Sequence, residues 1–227
     1  MSKRMKENEK KFDKAKLYSL DEAVKILKQT AKPKFDETVE LSFHLGIDPK
    51  QTDQTIRGAI SLPHGTGKTK KVVVVAKGEK LKEAESAGAD FVGSEDMIEK
   101  IMKGWMDFDQ IVATPDVMKD LAKLGKVLGP RGMMPNPKTG TVTFDIAKTV
   151  KEIKAGRVEF KNDPQGIVHS TVGKVSFDEN KLVENAKTII SAVTSLKPAS
   201  SKGQYIKSIA LSSTMGPGIK IQPEKSS

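Results

Sequence analysis

The apolar positions in the middle third of the chain fall into short runs, each followed by a stretch with helical spacing. Residues 71–76 and 109–114 are rich in β-branched side chains, as is typical of strands buried on both faces. Ser94 is placed to cap one of the helices that follow, and Pro115 suits the first turn of another. Repeated strand–helix pairs of this length predict a parallel sheet covered by helices.

The two flanking segments alternate between apolar and polar residues, which predicts strands that bury one face only. Each flank also contains one amphipathic helical pattern. In the first, Ser19 and Glu22 form the sequence signature of a capping box, and in the second, Asp178 is a candidate cap. The predicted helices span residues 19–30 and 178–196, and the alternating segments are residues 37–48, 56–65, 166–177 and 204–222.

Neither flank is large enough to close a hydrophobic core alone, because two-stranded pieces are marginally stable. We therefore expect the two ends to form one discontinuous α+β domain, made of residues 1–67 plus 161–227. Residues 68–160 would be inserted as an α/β domain. The chain would cross between the domains near residues 65–68 and 160–163, which are rich in turn-forming residues.

Charge points to a polyanionic partner. The 227 residues carry a formal net charge of +10, which favours nucleic acid, and a merely lysine-rich surface is the alternative. The excess is spread evenly along the chain and does not locate a site. There is no cysteine, no apolar run of roughly 18 residues and no secretory signal pattern. We expect a cytoplasmic protein without a membrane partner.

The stretch LPHGTGKT, residues 62–69, ends like the phosphate-binding loop of an ATPase or GTPase. That loop needs a glycine five positions before Gly67, where this chain has Leu62. Lys68 leads into a predicted strand, so no helix N-terminus would face a phosphate. Gly65 and Gly67 are better explained as a flexible joint at the domain crossing. A nucleotide-binding enzyme that uses the inserted domain stays open as the alternative function.

The histidines give no evidence of catalysis. They are far apart in sequence, and none has an acid or a nucleophile at motif spacing. We predict no catalytic site, no metal site and no cofactor. The three residues are His44, His64 and His169.

Two segments have chemistry that suits RNA. In residues 213–220, STMGPGIK, two glycines permit close backbone approach, Ser213 and Thr214 offer hydroxyls, and Met215 offers an adaptable apolar surface. Such a surface fits the shallow minor groove of RNA, where shape and 2′-hydroxyls are read, and a simple tight turn is the alternative. Phe35 is suited to stacking on a base, with core burial as its alternative.

A third segment, residues 128–140, contains too many prolines and glycines for a helix or a strand. Its Arg131 and Lys138 are available for phosphates. A rigid connecting loop is the alternative interpretation.

Four segments occur together in an order and spacing that resemble one known family. Over nearly its whole length the chain resembles the bacterial large-subunit ribosomal protein of the lateral stalk beside the tRNA exit site, the first of the large-subunit series. The proline–glycine loop and the TMGPG turn are specific to that family. The segments read FDETVEL, LGIDPK…DQTIRGAISLPHGTGK, LGPRGMMPNPKTGTV and SSTMGPGIKI.

The resemblance implies a discontinuous domain of the split β-α-β type that binds large-subunit ribosomal RNA, and a Rossmann-like inserted domain without a nucleotide. It also implies which residues contact RNA. Carried onto this sequence, they are Lys34, Phe35, Thr38, Glu40, His169, Ser212, Thr214, Met215, Gly216 and Pro217.

The resemblance further implies a non-enzymatic component of the cytoplasmic ribosome that binds the stalk RNA and assists release of deacylated tRNA from the exit site. The free protein would be a monomer that represses translation by binding its own operon mRNA. A structural assembly protein whose basic charge is incidental is the remaining alternative.

Overall fold

The computed structural model describes residues 5, 7–8, 10–31, 34–201 and 203–223. Within this part the chain is a mixed α/β protein, as its pattern predicts. Its internal contacts divide it into two compact units. We call Met1–Gly67 with Val158–Ser227 unit 1, and Lys68–Arg157 unit 2.

The elements are numbered along the described chain. The strands are β1 (Thr38–Leu45), β2 (Arg57–Ser61), β3 (Val72–Val75), β4 (Phe91–Gly93), β5 (Gln110–Ala113), β6 (Arg157–Lys161), β7 (Ile167–Lys174), β8 (Ile206–Ser213) and β9 (Ile219–Ile221). The α-helices are α1 (Leu20–Thr30), α2 (Lys80–Ser86), α3 (Glu95–Met102), α4 (Met118–Leu121), α5 (Gly125–Leu128), α6 (Ile146–Lys154) and α7 (Glu179–Ser195).

Unit 1 is built on an antiparallel sheet in the order β7-β1-β8-β9. Alternate residues of β1 are buried, so the alternation in the sequence sets which face points inward. Helices α1 and α7 pack on that inner face, and their apolar residues complete a single core. The capping box of Ser19 and Glu22 is present at the start of α1. In the described part of the chain, the opposite face of this sheet has no helix packed against it.

Strands β2 and β6 form a separate two-stranded sheet beside the crossing segments. The side chain of Asn185, fully buried in α7, fixes the first of these segments. It accepts a hydrogen bond from the His64 N–H at 3.2 Å and donates to the carbonyls of Gly65 at 3.0 Å and Val172 at 2.8 Å. The end of the segment is therefore held by unit 1 rather than left free.

Unit 2 contains a parallel sheet in the order β4-β3-β5 with helices on both faces. Val73 and Val75 pack with α3 and the helical segment 115–128, whereas Val72 and Val74 pack with α2 and α6. The continuous apolar run of β3 is thus buried on both faces, as the sequence predicts.

Some local predictions were wrong. The helix expected from residue 115 onward is divided into short α-helical and 3₁₀ segments up to Leu128. Ser94 and Asp178 occupy the N-cap positions of α3 and α7, but neither side chain makes a capping hydrogen bond. In the described chain, no helix has the length and apolar character that crossing a bilayer requires.

We expect Gly67→Ala to destabilise unit 1. Gly67 has φ of +73°, which L-residues rarely adopt, and an added Cβ would lie 2.9 Å from side-chain carbons of both Lys174 and Phe177. The strain and the overlap should together lower the free energy of unfolding by about 2–3 kcal/mol in a urea titration. Gly203→Ala is the matched control, because Gly203 has φ of +79° with open space around it. Equal losses in both variants would show that the overlap does not matter.

Candidate RNA interface

The helix-free side of the unit 1 sheet carries polar side chains in rows across three strands. Glu40 of β1 lies opposite Thr171 of β7 and Ser212 of β8, and all three are half-buried. We define the open face as the outward-pointing residues of β1, β7 and β8 together with residues 34–35 and 214–217. Hydrogen-bonding groups without covering structure make this face suitable for a polar partner.

The next row lies two residues further along the same strands. Ser42 lies opposite His169, and its hydroxyl is 3.1 Å from His169 Nδ1. His169 is exposed on β7, so its ring keeps one edge available to a partner. The described residues contain no cluster that could hold a metal ion.

Thr214 joins the turn after β8 to the start of β1. Its backbone N–H donates to the Thr38 carbonyl at 3.0 Å, and the Thr38 N–H donates to the Thr214 hydroxyl oxygen at 3.0 Å. The same hydroxyl donates to the Thr38 carbonyl at 3.3 Å. One acceptor position on this oxygen stays available. Thr214 therefore builds the turn as well as facing outward.

Two large apolar side chains flank this junction. Phe35 is 55% exposed and Met215 is 50% exposed, so the core-burial alternative for Phe35 is wrong. Lys34 beside Phe35 is also exposed. Asp36 anchors this segment by accepting hydrogen bonds from the backbone N–H and the hydroxyl of Ser176. An exposed aromatic on an anchored segment is well placed to stack on a base.

A side chain added at Gly216 would overlap Ser213, whereas the backbone torsions of Gly216 do not require glycine. The Gly216 N–H donates to the Ser213 carbonyl at 2.9 Å, closing the turn tightly. A Cβ on Gly216 would overlap Ser213 Oγ, which would have to move to make room. Pro217 is buried and follows directly. The two residues give the turn a compact shape with little side chain between backbone and partner.

The structure brings the predicted contact residues together from both ends of the sequence, and Pro217 is the one of them that is buried. Arg131 and Lys138, by contrast, lie in unit 2, in the segment around the 3₁₀ turn Pro137–Thr139. His64 pairs with Glu184 at 2.5 Å rather than with a ligand.

The stretch that resembles a phosphate loop has other interactions. Lys68 pairs with Asp109 at 3.1 Å, and the chain continues into strand β3 instead of a helix. A hydrogen bond from the Lys71 N–H, assisted by Lys68, holds the pKa of the Asp109 carboxyl below its usual value. Lys68 therefore stabilises the start of unit 2 by pairing with a carboxylate.

Comparison with known proteins gives the family of the chain. Residues 27–217 match the ribosomal protein L1p/L10e family. The chain belongs to this family. It is also 59% identical over 223 residues to the large ribosomal subunit protein uL1 of Macrococcus caseolyticus (strain JCSC5402), with 98% of this chain and 96% of the relative covered. The family recognised from sequence motifs is confirmed, and the chain is a ribosomal protein rather than an enzyme.

Sequence reasoning missed other residues of the open face. Ser42 and Thr171 follow from strand alternation, which carries every second residue of β1 and β7 outward. Lys174 could not be found this way, because its position depends on contacts between distant segments. Its Nζ donates to Thr38 Oγ1 at 3.0 Å and to the Asp36 carbonyl at 3.4 Å. Lys174 therefore adds a positive charge beside the junction between Thr38 and Thr214.

We expect Lys174→Ala to weaken RNA binding mainly at low salt. If Lys174 contacts one phosphate, its loss should reduce the slope of log affinity against log salt by about one. Filter binding between about 50 and 300 mM salt measures this slope. Lys187→Ala is the control, since Lys187 is an exposed cation on α7, the helix on the opposite face of the sheet. Identical slopes for the two variants would exclude a phosphate contact at Lys174.

Proposed function

We propose that this ribosomal protein binds a folded region of large-subunit ribosomal RNA through the open face of unit 1. The observation that carries the proposal is the junction between Thr38 and Thr214. It is held by backbone hydrogen bonds and flanked by the exposed side chains of Phe35 and Met215. A rigid junction with exposed apolar side chains on a polar face suits recognition of a preformed surface.

The chemistry of the face fits RNA better than duplex DNA. The wide minor groove of RNA displays 2′-hydroxyls, which both donate and accept hydrogen bonds. Glu40 offers carboxylate acceptors, and Ser212 and Thr214 offer hydroxyls that pair in either direction. Phe35 offers a ring for an unstacked base. The net charge of +10 would add a salt-dependent attraction to the phosphates.

In this proposal the two units have different roles. Residues 1–67 plus 161–227 form the RNA-binding domain of the split β-α-β type, and residues 68–160 form an inserted Rossmann-like domain without a nucleotide. The division by contacts falls slightly earlier, after Arg157. Val158 and Phe160 pack in the unit 1 core, so by contacts the proposed boundary shifts by three residues and residues 158–160 belong with the RNA-binding domain.

Two finer roles are proposed from the likeness to the family. The protein assists release of deacylated tRNA from the exit site. When free, it is a monomer in the cytoplasm that binds its own operon mRNA and represses its translation. An mRNA that reproduces the ribosomal RNA fold would occupy the same open face, so repression and ribosome assembly would exclude each other.

Crosslinking in living cells with sequencing of the bound RNA tests these roles together. We expect most reads from one folded region of large-subunit ribosomal RNA, with minor populations from tRNA and from the protein's own message. Phe35→Ala should reduce the ribosomal RNA and message reads in parallel. Absence of enrichment in ribosomal RNA would contradict the proposal.

A further inference from the structure

Glu37 is a buried carboxylate at the foot of the turn that carries the proposed RNA contacts. It precedes β1 directly and is only 2% exposed. Its backbone carbonyl accepts from the Val175 N–H at 2.9 Å. Its side-chain Oε1 accepts from the Met215 N–H at 2.9 Å. Glu37 thus connects the entry of β1 to the turn after β8.

The carboxylate is costly at this position. Among the described residues, its Oε2 is buried without a hydrogen-bond partner, and so is Ser213 Oγ in the same region of the turn. Burying a charged or polar atom without a partner is unfavourable, and an apolar side chain of similar volume would avoid that penalty. Core packing alone does not explain a glutamate here.

The hydrogen bond to Met215 does explain it. Three successive backbone N–H groups of the turn have defined acceptors: Thr214 bonds the Thr38 carbonyl, Met215 bonds Glu37, and Gly216 bonds the Ser213 carbonyl. Only the middle one uses a side chain. Its acceptor, Glu37 Oε1, is itself buried and held at the start of β1. The carboxylate fixes the backbone at the residue whose side chain is half exposed.

We propose that Glu37 is a positioning residue for RNA binding, which acts by holding the Met215 backbone so that the turn is preformed before RNA arrives. This inference rests on the proposed function of the open face. A preformed turn binds more tightly, because less conformational freedom is lost on binding. The buried glutamate is then retained for recognition, and the fold does not require it.

The test separates fold stability from RNA affinity by using two replacements. Glu37→Met has a similar length without an acceptor, whereas Glu37→Gln retains an acceptor for the Met215 N–H. Urea unfolding, amide hydrogen exchange at Met215 and filter binding to full-length large-subunit ribosomal RNA are measured for each. Asp53→Asn, at an exposed acid in the 3₁₀ segment Thr52–Gln54 of unit 1, controls for the change in net charge.

We expect Glu37→Met to be at least as stable as the parent and to exchange the Met215 amide faster. It should bind RNA about ten-fold more weakly with an unchanged salt slope, since loss of the Met215 hydrogen bond has about this effect and no phosphate contact is removed. Glu37→Gln should restore both the protection of Met215 and most of the affinity. A role in packing alone predicts that stability and affinity fall together.

Parental affinity in Glu37→Met would overturn the inference, and so would failure of that variant to fold, because the carboxylate would then serve the fold itself. Parental exchange at Met215 in Glu37→Met would also overturn it. Failure of the parent to bind the RNA would instead contradict the proposed function. The exchange measurement needs no RNA, so it distinguishes failure of the proposed function from failure of the inference about Glu37.

Discussion

Replacing Gly216 with alanine is expected to displace the Ser213 side chain and to disturb the turn after β8 that carries Thr214 and Met215. The new Cβ would overlap Ser213 Oγ. Gly216 does not have a positive φ, so the cost arises from overlap alone. We expect the free energy of unfolding to fall by about 1–3 kcal/mol, as for other overpacked sites, with RNA affinity falling at least ten-fold as the turn moves.

The cause of that loss can be isolated with a second substitution. Ser213→Ala removes the overlapping oxygen, and the nearest remaining side-chain atom, Ser213 Cβ, would be 3.5 Å away, an ordinary contact. Because Ser213 Oγ is buried without a partner, Ser213→Ala alone should be neutral or slightly stabilising. The double variant should therefore recover most of the lost stability and affinity.

Gly218→Ala is the matched control within the same turn, since nothing lies within 4 Å of its added Cβ. It should resemble the parent in unfolding and in RNA binding. Additive effects of Gly216→Ala and Ser213→Ala would contradict the overlap, because two residues in contact should show an interaction energy.

The second large effect is expected at Phe35. Phe35→Ala should weaken binding to large-subunit ribosomal RNA by about ten- to hundred-fold, because stacking of one base on an aromatic ring contributes about 1–3 kcal/mol. Stability should change little, since the ring is more than half exposed. Filter binding and urea unfolding of the same preparations measure both quantities.

Leu17→Ala is the control for Phe35→Ala, because Leu17 is 51% exposed in the same unit and is not part of the open face. It should leave RNA affinity unchanged. If both variants bound RNA like the parent, stacking at Phe35 would be excluded. If both weakened it equally, the effect would reflect lost apolar surface in general.

Much of the fold could be predicted because local pattern and tertiary structure agree. The alternation over residues 38–45 reproduces the inward and outward positions of β1, and the apolar run of β3 is buried on both faces. Elements that form by pairing with residues distant in the sequence were harder to predict. Strand β6 pairs with β2, about a hundred residues earlier, and neither β6 nor α6 was anticipated. The helix from residue 115 is interrupted near Gly125, which lowers helix propensity.

The candidate site was predicted from family motifs rather than from physical pattern alone. From pattern alone, core burial of Phe35 and a simple tight turn at TMGPG both stayed open. The exposure of the Phe35 side chain excludes its burial in the core. Lys174 and Glu37 escaped notice because a lysine and a glutamate in a charged sequence are usually solvated. Only the pairing of β1 with β7, and of the turn with residues 37–38, gives them a role.

The Gly-Lys-Thr ending of residues 62–69 shows why a motif needs its structural context. Gly65 and Gly67 both have positive φ, and Asn185 holds the segment at the edge of unit 1. The residues after it form a strand. The glycines therefore supply the positive φ angles that the backbone adopts at the crossing between the two units.

Ultraviolet crosslinking of the protein to ribosomal RNA, with mass spectrometry of the crosslinked peptides, tests the central claim most directly. The purified large subunit is the sample, and the crosslinked residues are the readout. We expect crosslinks concentrated at Phe35, Met215 and His169, on the open face, and absent from the outward side of α7. Crosslinks confined to α1 and α7, or to unit 2, would contradict the assignment of the RNA interface.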